Sequence, residues 1–281
     1  MRGKLGCAVL LGVLAVACQA QSERRFERTL TVNGPVNLDL NTDAGGIQVR
    51  AGAAGAVRIR WILKASWNLF SDRGVEQRMS ELEAHPPVEQ TGNSIRVAVR
   101  DRSLLRNLSM RLEVDTPPQT QLRARTDSGG IEVQGISGPV DAQTDSGGIR
   151  ALDIGADVRA STDSGGIHVR HVNGEVRAHA DSGGVEALEV AGRVDVQTDS
   201  GGIRISQTKA ASIRARADSG GADVTLAPAG YDLALHANSG QVNAANVVAT
   251  GTVTRHEING RLRGGGPLVD VRVDSGSVTV R

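Results

Sequence analysis

Apolar and polar residues alternate in short runs through most of the chain, and the runs recur with a fixed period. In the segment that begins at Asp127, Ile131-Glu132-Val133 is followed by Val140-Asp141-Ala142, each in apolar, polar, apolar order. A period of two places one side of a strand in a core and the other in water. The tetrapeptide Asp-Ser-Gly-Gly punctuates these strands at Asp127, Asp145, Asp163, Asp181, Asp199 and Asp218, so the first four intervals are 18 residues and the fifth is 19. No unit of this size can bury an apolar face alone, which predicts a stack in which each unit is one rung. The fold class expected is all-β, a parallel β-helix or solenoid of about 18-residue rungs.

Stacking brings equivalent residues into columns. Ile131, Ile149, Ile167, Val185 and Ile203 form one core ladder, with Val133, Ala151, Val169, Ala187 and Ile205 beside it. The opposite wall holds Val140, Val158, Val176 and Val194, next to Ala142, Ala160, Ala178 and Val196. Such columns build a thin core without large rings, in keeping with an aromatic content of 2%. Strands on opposite walls need sharp corners, which the pairs Gly129-Gly130, Gly147-Gly148, Gly165-Gly166, Gly183-Gly184, Gly201-Gly202 and Gly220-Gly221 supply. Asp and Ser bond nearby amides in turns, so the aspartates are read as structural turn residues. The second corner, at Gly138, Gly155, Gly174 and Gly192, is marked less regularly and reads as a looser requirement.

The signature extends in both directions. Thr42-Asp43-Ala44-Gly45-Gly46-Ile47 carries it early, and Asn238-Ser239-Gly240 and Asp274-Ser275-Gly276 carry it late, 36 residues apart. That interval equals two rungs, so about nine rungs are expected from residue 122 to 281, ending on an uncapped Val278-Thr279-Val280-Arg281 that invites self-association. Val57, Ile59, Trp61 and Leu63 predict a strand of larger residues in a first layer. Val75, Met79 and Leu82 share one face of a capping helix over about 71–83, ended by Pro86 and Pro87. The organisation expected is a leader over 1–17, a tether over 18–26, N-terminal β layers over 27–121 and solenoid repeats over 122–281, the last two forming one continuous domain.

Arg2, Lys4 and the apolar run from Leu5 to Ala17 read as an export leader too short to span a membrane as a mature helix. Ala15-Val16-Ala17 before Cys18 resembles a bacterial lipoprotein box with Cys18 as the lipidated residue, and Gln19 resembles sorting to the outer membrane, facing either the periplasm or the cell surface; plain secretion with cleavage nearby is the alternative. Removing the leader takes Cys7 with it and leaves one cysteine, which excludes an intramolecular disulfide.

Lys plus Arg number 32 against 31 for Asp plus Glu, a balance of +1 that carries no footprint for nucleic acid. His168, His171 and His179 fall on different parts of a coil, and no cysteine or acidic pair accompanies them, so neither a metal nor a cofactor is expected. A calcium roll would carry Gly-Gly-x-Gly-x-Asp, an order these units lack. No catalytic residue is assigned: Gly-x-Ser-x-Gly is absent, and Glu132, Asp141 and Glu186 occupy ordinary alternating sites.

The early strand pair, the mid-chain helix, the opening Val114-Asp115-Thr116-Pro117 and the repeated Ser-Gly-Gly-Ile corners together resemble the bacterial "putative adhesin" domain family of unknown function, over roughly residues 30 to 281. The resemblance implies an exported, single-stranded right-handed β-helix with no catalytic residues to carry over. The function expected is a non-enzymatic envelope module that engages a polysaccharide or an envelope protein through a repetitive wall. A carbohydrate-active β-helix enzyme and a self-associating scaffold are the competing readings.

Overall fold

The computed structural model describes residues 23–65, 74–245 and 247–281. The leader, Cys7 and Cys18, and residues 71–73 of the expected helix lie outside them. Every marked unit contributes one strand that runs into the Asp-Ser-Gly corner and one that runs out. Among the described residues the inbound strands belong to a sheet of 13 and the outbound strands to a sheet of 12, and the two sheets enclose one core. Here a rung is named by the acidic residue or Asn at its corner. The Asp145 rung, Val140–Ser146 and Ile149–Ile154, pairs in parallel with the Asp127 and Asp163 rungs on either side. The ladder Ile131, Ile149, Ile167, Val185 and Ile203 is 0–3% exposed, each residue opposite the next. Parallel pairing at about 4.8 Å per rung is what stacks like on like.

The corner is tied to its neighbour by threonine. Thr144, Thr162 and Thr198, which precede the aspartates, are buried and donate their hydroxyls to the carbonyls of Gly129, Gly147 and Gly183, one rung back, at 2.9–3.0 Å. Among the described residues, the six aspartates of the Asp-Ser-Gly-Gly corners form no hydrogen bond to corner backbone; Asp181 instead meets His179 at 3.0 Å. At the second corner a Cβ on Gly138 would stand 2.3 Å from the Thr120 carbonyl oxygen, and one on Gly192 2.2 Å from that of Gly174, so those rungs need glycine, while Ala156 fills the equivalent place in the Asp145 rung.

Ala180 and Ala217 replace threonine in that column and present only a methyl group. Because Thr162 and Thr198 flank Ala180 in register, Ala180→Thr has a place for its hydroxyl against the Gly165 carbonyl. We expect the variant to gain about 1 kcal/mol. A chemical-denaturation midpoint below the parent's would contradict the role given to this column.

Both ends depart from a simple succession of rungs. Val36–Ala44 and Ile47–Ala51, the Asp43 rung, are sandwiched between the Asp127 rung and an outer rung made of Ser94–Val97 and Leu108–Thr116. Beyond it, Ala56–Ala65 and Glu23–Thr31 extend the outbound sheet in antiparallel fashion. The edge strand therefore takes up residues 23–26, which sequence assigns to a tether. The helix is Val75–Ala84; Val75, Met79 and Leu82 are buried, and Arg24 of the edge strand reaches Glu76, Ser80 and Glu83.

At the other end the last strands of the chain are internal. Leu268–Ser275 lies between Ile213–Ser219 and Tyr231–Ser239, and Val278–Val280 lies between Ala222–Thr225 and Val242–Ala244. The expected uncapped terminal rung is thus flanked on both sides, and the proposed self-association through it loses its surface. The 36 residues from Asn238 to Asp274 are not two rungs. They include an antiparallel pair, Val247–Val253 with Glu257–Leu262, laid beside Tyr231–Ser239. Residues 120–281 accordingly hold eight marked rungs, at Asp127, Asp145, Asp163, Asp181, Asp199, Asp218, Asp274 and Asn238, and not nine.

Candidate functional site

On the outer face of the outbound sheet, the first polar column runs Gln48, Glu132, Arg150, His168, Glu186, Arg204, Asp223, each side chain opposite the next. Beside it lies the second glycine of each corner, from Gly46 to Gly221. With no side chain at that position, a trough follows the stack. Two of its stretches, of about 440 and 460 Å³, share His168. Its polar groups are linked in two stretches: Gln48 donates to Glu132 at 2.9 Å, and further on His168 Nδ1 meets Glu186 at 3.1 Å while Arg204 donates to the other Glu186 oxygen at 2.8 Å. Arg281 approaches Asp223 at 3.6 Å.

The second glycine is not demanded by the corner. A Cβ on Gly148 would lie 3.3 Å from the Gly166 carbonyl oxygen, and the equivalent place is filled by Ser277 in the Asp274 rung and by Gln241 in the Asn238 rung. The bare strip is therefore a property of the surface more than of the fold.

Further along the outbound strands sits a column that sequence did not disclose. Gly135, Asp153, His171 and Glu189 all have positive φ, between 54° and 77°, at the same place in four successive rungs. Three of them are not glycine, and each such conformation costs about 1 kcal/mol. His171 joins the other two: its Nδ1 is 3.2 Å from Asp153 and its Nε2 contacts Glu189, which also accepts from Arg170 at 2.9 Å. The Arg170 hydrogen bond, followed by the charges of Arg170 and His171, holds the Glu189 carboxyl below its ordinary range against the opposing effect of desolvation. Only Gly135, at the head of the column, hinted at this left-handed position.

On the inbound wall one column reads Asp39, Arg123, Asp141, Arg159, Arg177, Asp195, Arg214, Asp270. Its neighbour carries Gln143, Ser161, His179 and Gln197 in its middle rungs. His168, His171 and His179 thus occupy three separate columns. Among the described residues, no group of three or more His, Cys, Asp or Glu side chains is placed to hold a metal ion, and no helix is long and apolar enough to cross a membrane.

The family described as Toastrack DUF4097 matches residues 120–281. The chain is similar to a solved "putative adhesin" from Bacteroides fragilis NCTC 9343, with 13% identity, 93% of this chain and 99% of that chain covered, and a TM-score of 0.51. At that identity the likeness concerns the fold alone. A "putative cell adhesion protein" from Clostridium sporogenes ATCC 15579 aligns over 92% of this chain and 99% of its own at 12% identity, with a TM-score of 0.26 that is too low to support an argument. No curated protein matches the chain.

Proposed function

The chain belongs to the Toastrack DUF4097 family, and we propose that its stack serves as an adhesin-like binding module of the bacterial envelope. In this reading the protein is exported, anchored through lipid on Cys18 in the outer membrane, and holds a polysaccharide or an envelope protein along its wall. The observation that carries it is the trough along the second-glycine column, which offers the same backbone and a polar side chain at each rung from Asp43 to Asp218. Many weak contacts at fixed spacing suit an extended polymer, since each engaged site raises the effective concentration for the next. The name "putative adhesin" borne by the Bacteroides protein agrees with it.

The trough supports binding over hydrolysis. Glu132, Glu186 and Asp223 stand in a single column, separated by Arg150, His168 and Arg204, and each is bonded to a neighbour. Most glycoside hydrolases use a carboxyl pair set across the scissile bond, with one member protonated.

Filling the trough is the test. Gly148→Gln with Gly166→Gln copies the residue found at Gln241, so the fold should survive. Cells producing the full chain are measured for retention on envelope polysaccharide extracted from the same bacterium. Retention should fall at least about tenfold as the repeated contacts are lost. Unchanged retention by a variant that melts like the parent would remove the trough from the function. Release of reducing sugar from that polysaccharide by the parent would make the protein an enzyme.

A further inference from the structure

On the inbound wall the charged column alternates in sign from Asp39 to Asp141 and again from Asp195 to Asp270. The alternation breaks at Arg159 and Arg177, which lie directly opposite each other in parallel register. Like charges in that relation repel. The flanking carboxylates do not relieve them: Asp141 meets Arg123 at 3.5 Å and Arg125 at 3.9 Å, and Asp195 meets Arg193 at 3.6 Å and Arg214 at 3.9 Å. Glu175 engages one edge of Arg177 at 3.0 Å. Among the described residues Arg159 forms no ion pair. A second like-charge contact, Arg216 with Arg272, has the same form, with Asp270 3.2 Å from Arg272, but lies outside the hollow that Arg159 and Arg177 border.

The arginine pair borders a hollow of about 510 Å³ whose other polar lining is Arg125, Asp141, Gln143, Ser161, His179, Asp195 and Gln197, so three arginines face two carboxylates that are themselves paired. The only apolar side chains in that lining are Ala160 and Ala178, which offer no pocket for the anchors a protein partner would insert. Two guanidinium forks seat an oxyanion, and the flanking amides and hydroxyl suit sugar hydroxyl groups.

We propose that Arg159 and Arg177 form a seat for the acidic groups of an anionic polysaccharide, on the wall opposite the trough. This deepens the binding-module reading by naming the chemistry of a ligand, and it is tested on different residues. The seat works by placing one oxyanion between two cations that the fold otherwise leaves in mutual repulsion. Gln143, Ser161 and Gln197 then contact the sugar rings on either side.

The experiment measures binding of the purified full chain to alginate, whose acid is carboxylate, to dextran sulfate, whose acid is sulfate, and to uncharged dextran. The parent should bind at least one polyanion, less tightly as salt rises, and dextran much more weakly. Arg159→Gln with Arg177→Gln should weaken polyanion binding at least about tenfold while leaving the melting temperature equal or higher, because bidentate contacts are lost and repulsion is relieved. Arg159→Lys with Arg177→Lys keeps the charge without the forks and should fall between. Should the double glutamine variant melt lower than the parent, the single Arg159→Gln change, which breaks no ion pair, replaces it. A parent that binds neither polyanion overturns the proposal, as does a glutamine variant within about twofold of the parent or a loss matched by Arg150→Gln on the other wall. Normal alginate binding by the variant with a filled trough, joined to loss in the arginine variant, assigns the acid to this seat. The reverse pattern discards the seat and leaves the trough.

Discussion

Ile167→Asp is expected to abolish the folded state or to destabilise it by about 4 kcal/mol or more. Ile167 is fully buried between Ile149 and Val185, with a ladder of backbone hydrogen bonds on each side. The strand cannot turn the new carboxylate outward, because a one-residue slip would send every other inward side chain of the rung into water. Nor can the carboxylate find a cation, since the column consists of aliphatic residues. It must stay protonated or unpaired in the core, and both are expensive. Thermal unfolding followed by circular dichroism checks this; a midpoint within a few degrees of the parent would disprove the inward assignment of the column.

The second large effect separates two adjacent glycines. Gly147 has φ +150°, and a Cβ there would lie 2.2 Å from the Gly129 carbonyl oxygen and 2.6 Å from its carbon. The obstacle is backbone held in a ladder, so Gly147→Ala should cost on the order of 3 kcal/mol. Gly148 has no left-handed φ, and its Cβ would meet only the Gly166 oxygen at 3.3 Å. Gly148→Ser, which reproduces Ser277, should cost about 1 kcal/mol or less. Urea titration of the two variants gives the comparison, and equal losses would refute the distinction between a corner glycine and a surface glycine.

The rungs from Asp127 to Asp218 were legible because each is a near copy of its neighbour, so a column read down the sequence is a column in space. The inward positions follow from alternation alone, and Ile131, Ile149 and Ile167 lie where a period of two puts them. Order of stacking is different. A corner motif states that a segment rests on a similar segment without stating which one, so the 36 residues before Asp274 looked like two rungs while the chain spends them on a hairpin. Residue type misled at the corners: Asp and Ser are the familiar turn formers, yet the hydroxyl that reaches the neighbouring rung belongs to Thr144 or Thr162, whose inward position could have been inferred from the same alternation. The left-handed column was hidden because Asp153, His171 and Glu189 share no chemistry that signals such a backbone. In the site, the trough follows from glycines that were read only as corner residues, and the arginine doublet was legible as sequence but meaningless before register was known.

The placement of Leu268–Ser275 and Val278–Val280 inside the stack governs when the molecule can be completed. As the chain emerges, every rung from Asp127 to Asp218 finds its lower neighbour already made. Tyr231–Ser239 and Val242–Ala244 do not, because the ladders that join them to the body come from strands yet to be synthesised. Until those arrive, this part of the chain has nothing to dock on and the Asp218 rung keeps an open upper edge. Residues 231–280 therefore join the body as one late block, and the final strands act as the keystone.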